Sequence, residues 1–576
     1  MAINYNSPTY NLLYEDWIPV LNRDGTERKL GLIDLFEAAP KIDRIVAELP
    51  TVSLAIEALA QAIYRRATTE HYGPDKYTAI PAVVRFWDDW EPVSDLVRDY
   101  LGRFADRFDL RHPSTPFYQV ADLHTPRGEA SGLEVLLADV PNGIPFLTMR
   151  RARGLESIEW DEAARWLVHV QAFDPSGIRS GLVGDRRVQS GKVYPIGPAW
   201  AAQLGILSPR KGNFAHDLIL AAVPSGDGYL EYDSAKDLPV WERPQQTVRP
   251  EGIPDSVWET GTAAEIRDER RLPTGPADIL TWQSRRVRLV ETNNVVTGVV
   301  LTNGDPIDPW NRYTSEPRTA WRYSELKSKK LDQVVYYPRD LPAGSMLWRE
   351  IETVFPESIK KGVFGRSKEE VDAFRGPASS RWIADLEDEN LTGREQLVGQ
   401  VTFEAVGMVL GDNRSTIADI VVSRLALPAA ALREDKAAIR SDLVAWVEMA
   451  EKVSRVVADL AANLYRAAGV QEVAGIRDEA RASFLAATEP YFQEMMTKVS
   501  VVSAGDNDAL YQVWATQLRN LAYQERRRLM EQTGPEAVVG RSVGGRFLSA
   551  GRAEAFFVSG LTKALGRSSN DANETE

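Results

Sequence analysis

The stretch SDLVAWVEMAEKVSRVVADLAANLYRAAG, residues 441–469, decides the fold of the last quarter of the chain. Leu443, Trp446, Val447, Ala450, Val453, Val457, Leu460 and Leu464 recur at steps of three and four, the period of one apolar helix face. Gly469 stands where a helix takes a left-handed terminating glycine. Three further helical segments are expected after it, over 478–499, 508–532 and about 545–565, with Pro490 set to kink or break the first of them. Four antiparallel helices on short connections read as a four-helix bundle over 428–566. The polar tail 567–576, RSSNDANETE, is expected to be disordered.

Working backwards, GQVTFEAVGMVLGDNRSTIADIVVSRLAL (399–427) reads as two strand arms joined at Gly411-Asp412-Asn413-Arg414, residues that tolerate the positive φ of a tight turn. Residues 224–276 are acidic and proline-rich, and read as a long connection draped over the preceding domain. Before it, strand, turn at Asp24-Gly25, strand and helix follow one another, then an amphipathic helix from Thr51 carrying Leu54, Ile56, Leu59, Ala60 and Ile63. The expected fold class is therefore α+β: a large mixed α/β N-terminal domain over 1–427, then the bundle.

Composition narrows the function. The 576 residues hold no cysteine, which removes disulfides, thiolate metal ligands and thiol nucleophiles. No uninterrupted apolar run reaches 18 residues and the first residues lack the pattern of a secretory signal, so a cytoplasmic protein away from membranes is expected. The formal charge, 68 − 82 = −14, speaks against a freestanding nucleic-acid binder. Basic islands nevertheless occur at Arg150, Arg151 and Arg153; Arg186 and Arg187; Arg285, Arg286 and Arg288; and Lys327, Lys329 and Lys330. Each acts locally, because screening sets in over about 8 Å at physiological salt. Such islands suit a subunit of a nucleoprotein in which other chains carry most of the positive charge.

The most suggestive loop is SGIRSGLVGDRRVQSGK, residues 176–192. It is not a Walker loop: six residues separate Gly184 from Gly191, and Val193 follows Lys192. It contains no G-x-G-x-x-G either. His216-Asp217 has the dipeptide of a metal-dependent phosphohydrolase, but five histidines in the whole chain supply no second histidine-rich helix. There is no H-E-x-x-H helix. Fifteen tryptophans alone do not make a sugar cleft. A binder without cofactor or metal is expected. The alternatives are a nucleotide- or metal-dependent phosphohydrolase built on the glycine loop and His216-Asp217, and a structural adaptor that reads no DNA.

Four features together resemble one family. YNLLYEDWIPV carries N-L-L-x-x-x-W-I-P-V over Asn11–Val20, HPSTPFYQV (112–120) an H-P-F-x-Q segment with a small insertion, and LTWQSRRVRL (280–289) a tryptophan-and-arginine strand. The connector and terminal helices come in the same order. The chain resembles the CasA family, the large subunit of the type I-E CRISPR surveillance complex, Cascade. The resemblance implies a non-catalytic subunit at the guide RNA 5′ handle, alongside the backbone and small subunits of the complex. Such a subunit inspects target double-stranded DNA for the protospacer-adjacent motif, the PAM, from the minor groove. It starts unwinding and helps recruit the helicase-nuclease effector.

By that resemblance Gly177, Ile178, Arg179, Ser180 and Gly181 correspond to the family's glycine loop, with Arg186, Arg187 and Lys192 on adjacent phosphates. Asp412, Asn413, Arg414 and Ser415 correspond to its wedge hairpin, Arg414 replacing the family's glutamine. Phe146 corresponds to an aromatic that touches the RNA handle, with Arg150, Arg151 and Arg153 as phosphate partners. The family's lysine finger has no clean counterpart; Arg285, Arg286, Lys329 and Lys330 are the basic candidates.

Overall fold

The computed structural model describes residues 9–140, 148, 150, 156–226, 228–365, 368–499 and 504–565. Phe146, Arg151, Arg153 and the tail 567–576 lie outside the described residues. The chain divides into two compact units: residues 1–346 with 353–424, and residues 347–352 with 425–576.

Helix Pro50–Tyr72 is the spine of the first unit. Proline at its first turn presets φ where no amide partner is needed, and Gly73 at φ +88° ends it. Almost all of its first five turns is buried, polar side chains included. Two of those polar groups form ion pairs: Arg66 donates to Glu242 at 2.7 Å and Glu57 accepts from Arg210 at 2.9 Å. Around the spine stand helix Trp160–Phe173, helix Glu91–Gly102 and small antiparallel sheets. Strand Ile18–Asn22 lies between Glu27–Leu30 and Ile42–Ile45. Strands Arg285–Thr292 and Val295–Asn303 form a hairpin whose turn, Asn293 and Asn294, takes positive φ at both positions. Strand Gln400–Leu410 pairs with Gly205–Arg210 on one side and with Ile417–Pro428 on the other.

The N-terminal sequence motif builds core. Trp17 is wholly buried and donates to Leu12 O at 3.0 Å, while Asn11 caps the turn through Leu13 N. Gln119 ties two segments together, donating to Leu110 O and accepting from Leu289 N at 2.9 Å.

Residues 224–276 are embedded rather than draped. Leu230, Val240, Trp241, Ile253 and Ile266 are buried, and helices Asp255–Thr260 and Ala263–Asp268 form within the stretch. The prolines start elements here: Pro254 precedes one helix and Pro276 opens another, Pro276–Leu280. That last helix also takes Leu280, where the tryptophan-and-arginine segment 280–289 begins, and the strand itself starts at Arg285. An internal ion network anchors the segment, with Arg271 donating to Asp278 and Arg243 to Glu251 at 2.7 Å.

In the second unit, helix Ala437–Ala468 meets each of Ala474–Met496, Ala504–Val539 and Ala550–Leu565. All eight apolar positions read from the sequence are buried. Burying side chains such as Leu443, Leu460 and Leu464 contributes about 1.5–3 kcal/mol each. Gly469 takes φ +111° and closes the first helix. The second helix runs on through Pro490, whose ring faces solvent. Residues 347–352 belong to this unit: Trp348 packs on Phe492 and Arg349 donates to Glu451 at 2.6 Å. A small hairpin, Arg541–Val543 with Arg546–Leu548, stands before the last helix and turns on Gly544-Gly545.

Candidate nucleic-acid interface

The glycine-rich loop leaves helix Trp160–Phe173 at Asp174, and this carboxylate fixes its take-off. Asp174 accepts from Arg179 on the loop and from the wholly buried Arg285 on the neighbouring strand. The loop is a miniature hairpin: Arg179 faces Val193 and Ser180 faces Lys192. Ser190 and Gly191 turn it with positive φ. Gly181 donates its N–H to Gly191 O at 2.9 Å; a Cβ there would sit 2.8 Å from Val188 Cγ1 and 2.9 Å from that same oxygen. Gly181 is therefore required by the hairpin itself. Gly177 differs, since the nearest atom to a Cβ is Arg179 Cζ at 3.6 Å. Ile178 is 55 % exposed, with Ser180, Arg186 and Lys192 also on the surface.

Several basic candidates turn inward. Arg187 is 1 % exposed, bound to both oxygens of Asp185 at 2.9 Å and to the carbonyls of Asn303 and Gly304. Arg285 spends its guanidinium on Asp174 and on the Ser284, Pro175 and Gly197 carbonyls. Arg286 bonds Asp305 and the Thr247 carbonyl. Contrary to the expectation from sequence, none of the three presents a face to a phosphate. Arg150 is held through Nε by Asp139 at 2.8 Å and through Nη2 by Glu162, so two of its nitrogens are engaged within the protein. Lys329 and Lys330 lie on the exposed side of helix Glu325–Leu331, Lys329 paired with Glu325 at 2.6 Å.

The hairpin tip comes to the glycine loop. Asn413 and Arg414 both adopt left-handed φ, and Arg414 O accepts the Ser176 N–H at 2.9 Å. The Arg414 guanidinium donates to Gln203 Oε1 at 3.2 Å. Between loop and tip opens a cleft of about 260 Å³, lined by Asp174–Arg179, His169, Ser415, Ile417 and residues 134–138. Burial pulls the His169 pKa down to about 3, and its Nε2 meets Thr51 Oγ1 at 3.0 Å, so the histidine in the cleft wall is neutral. Asp174, Ser176 and Gln203 were not legible as site residues; only Ser176, the first residue of the quoted loop, carried a signal.

The His216-Asp217 pair does not assemble a reaction centre. His216 stacks on Trp87 at 4.0 Å between ring centres, with Nε2 against Trp87 O. Asp217 accepts from the Lys211 amide at 2.6 Å and from Arg210. Among the described residues no group of three or more histidines and carboxylates is placed to hold a metal ion. No helix there is long and apolar enough to cross a membrane.

The larger of the two units thus brings a glycine-rich hairpin together with a hairpin tip holding two left-handed residues. Residues 11–524 match the family model of CRISPR-associated protein Cse1. The chain belongs to that family. It is 27% identical over 488 residues to the CRISPR-associated protein CasA/Cse1 of Thermus thermophilus, covering 84% of this chain and 82% of that one. The crystal structure of Thermobifida fusca Cse1 superposes with a TM-score of 0.84 at 32% identity, over 98% of this chain and 99% of that chain. A chain of a CRISPR RNA-guided surveillance complex shares the fold, with a TM-score of 0.62 at 17% identity over 91% of this chain and 99% of that one.

Proposed function

We propose that this chain is the non-catalytic large subunit of an RNA-guided CRISPR surveillance complex and reads the PAM of target double-stranded DNA. Gly177–Ser180 enters the minor groove, Arg186 and Lys192 hold flanking phosphates, and Arg414 at the hairpin tip starts strand separation. The segment around Phe146 docks near the guide RNA 5′ handle, and the assembled surface helps receive the helicase-nuclease. The observation that carries this reading is the Ser176 N–H bond to Arg414 O, which sets groove-reading loop and wedge tip side by side. The minor groove is about 6 Å wide, so a backbone without Cβ enters where side chains clash. Its edge code separates A·T from G·C pairs mainly by the guanine amine, so several related motifs should be accepted. Family membership and the shared fold of a surveillance-complex chain support the assignment of partners.

The test is duplex binding by the RNA-loaded complex across a library of flanking trinucleotides. A Cβ on Gly177 meets nothing nearer than Arg179 Cζ at 3.6 Å, so Gly177→Val should leave folding intact and abolish flank-dependent binding. Flank preference that persists in Gly177→Val and Arg414→Ala complexes would overturn the reading and leave the structural adaptor.

A further inference from the structure

Two consecutive non-glycine residues in the left-handed region, Asn413 at φ +53° and Arg414 at φ +56°, form an unfavourable turn that persists only where its surroundings over-determine it. Here the backbone is tied from both sides. Arg414 N–H donates to Gly411 O at 2.9 Å, Ser415 Oγ to Asp412 O at 2.8 Å, and Arg414 O takes the Ser176 N–H. The tip thus aims one long side chain, and something must fix that side chain as well.

Gln203 is placed to do so. It ends the short helical turn Ala201–Gln203 and is 8% exposed. Its Nε2 donates to Pro198 O at 3.4 Å, which orients the amide so that Oε1 faces Arg414 Nη1 at 3.2 Å. Asp340 adds a favourable field. Among the described residues Gln203 is the one hydrogen-bonding side chain on the Arg414 guanidinium, whose Nε and second amino group stay open.

We infer that Gln203 is a positioning residue that pre-sets the Arg414 side chain for the duplex. One anchor holds the guanidinium in a single rotamer, so less freedom is lost when DNA arrives. The inference rests on the reading that Arg414 meets DNA.

The experiment uses the RNA-loaded complex and a duplex carrying 2-aminopurine in the first base pair beside the motif. Gln203→Met keeps length and removes the acceptor; Gln203→Glu keeps an acceptor. Positioning expects Met to lower the opening rate about three- to tenfold, with flank-dependent capture retained, and Glu to stay within about twofold of wild type. A purely structural role expects the opposite order, because a buried methionine is benign and a buried carboxylate is not. Should Gln203→Met not fold, Gln203→Asn, too short to reach, carries the same expectation. Arg414→Ala is measured alongside. If it leaves opening unchanged, the function proposed above fails. If it slows opening while the acceptor-less Gln203 variant does not, the positioning role alone is overturned.

Discussion

Arg186 and Arg187 are the same residue type one position apart, and the fold sends them to opposite fates. Arg187 lies in the core with Asp185, so Arg187→Ala strands a buried carboxylate and should cost about 3–5 kcal/mol in urea unfolding. Arg186 faces solvent; its alanine variant should stay within about 0.5 kcal/mol of wild type. It should instead weaken duplex binding and lower the slope of log affinity against log salt by about 1, as loss of one phosphate contact does. Equal stability losses in the two variants would sink this division. A basic run in sequence shows charge without direction. Asp185 two residues before Arg187 was the available signal, a local acid that bonds both its amide and its guanidinium. Arg285 and Arg286 had no such signal. Strand alternation would have left one of them outside, yet each reaches its own distant acceptor, Asp174 or Asp305, set 111 and 19 residues away.

At the scale of elements, periodicity was legible wherever one face was buried against another element. The 441–469 helix and the hairpin around 411–414 follow from step size and turn chemistry alone. Proline was harder to read, because its effect depends on where in an element it falls. Pro276 opens a helix, whereas Pro490 sits inside one with its ring exposed and no amide to donate. Pro490→Ala restores an amide to that helix and should raise stability by about 1–3 kcal/mol, read as the denaturation midpoint of the helical unit. The 541–548 hairpin was missed although Gly544-Gly545 is a turn signal, since three-residue strands carry no period. Glycine in the 176–192 loop has two jobs. Gly181→Ala forces a Cβ against Val188 and the Gly191 carbonyl, and should cost about 1–3 kcal/mol while speeding amide exchange over 179–193. Gly177 has room for a Cβ, so there a substitution tests the ligand rather than the loop.

Over the whole molecule, a net charge of −14 is carried partly inside, and that makes stability depend on pH. Asp217, Glu57 and Glu404 converge on one guanidinium, Arg210, and Glu404 also has Arg424. The group left underpaired is Asp217, whose burial pushes its pKa up to about 7 against the opposing pull of Arg210. A carboxyl raised in the folded state favours the protonated protein. Its contribution is fully present below the ordinary carboxylate value near 4 and is lost as pH rises to about 7. His169 works the other way: held neutral by burial, it contributes above about 6.5 and loses that contribution as pH falls toward 3. For Asp278 and Asp305 burial is outweighed by Arg243, Arg271 and Arg286, which hold both below the ordinary value, so they weaken the fold only in acid. The wild-type curve therefore mixes opposing slopes, and the difference against Asp217→Asn isolates one of them. Asparagine keeps an acceptor for the Lys211 amide and cannot ionise. Relative to wild type, the variant should gain at least about 1 kcal/mol between about pH 4 and 7 and level off above about pH 8, measured as urea midpoints of the larger unit. A difference that does not change across that range would mean the proton resides elsewhere in the cluster, with Glu57, also raised by burial, the next group to neutralise.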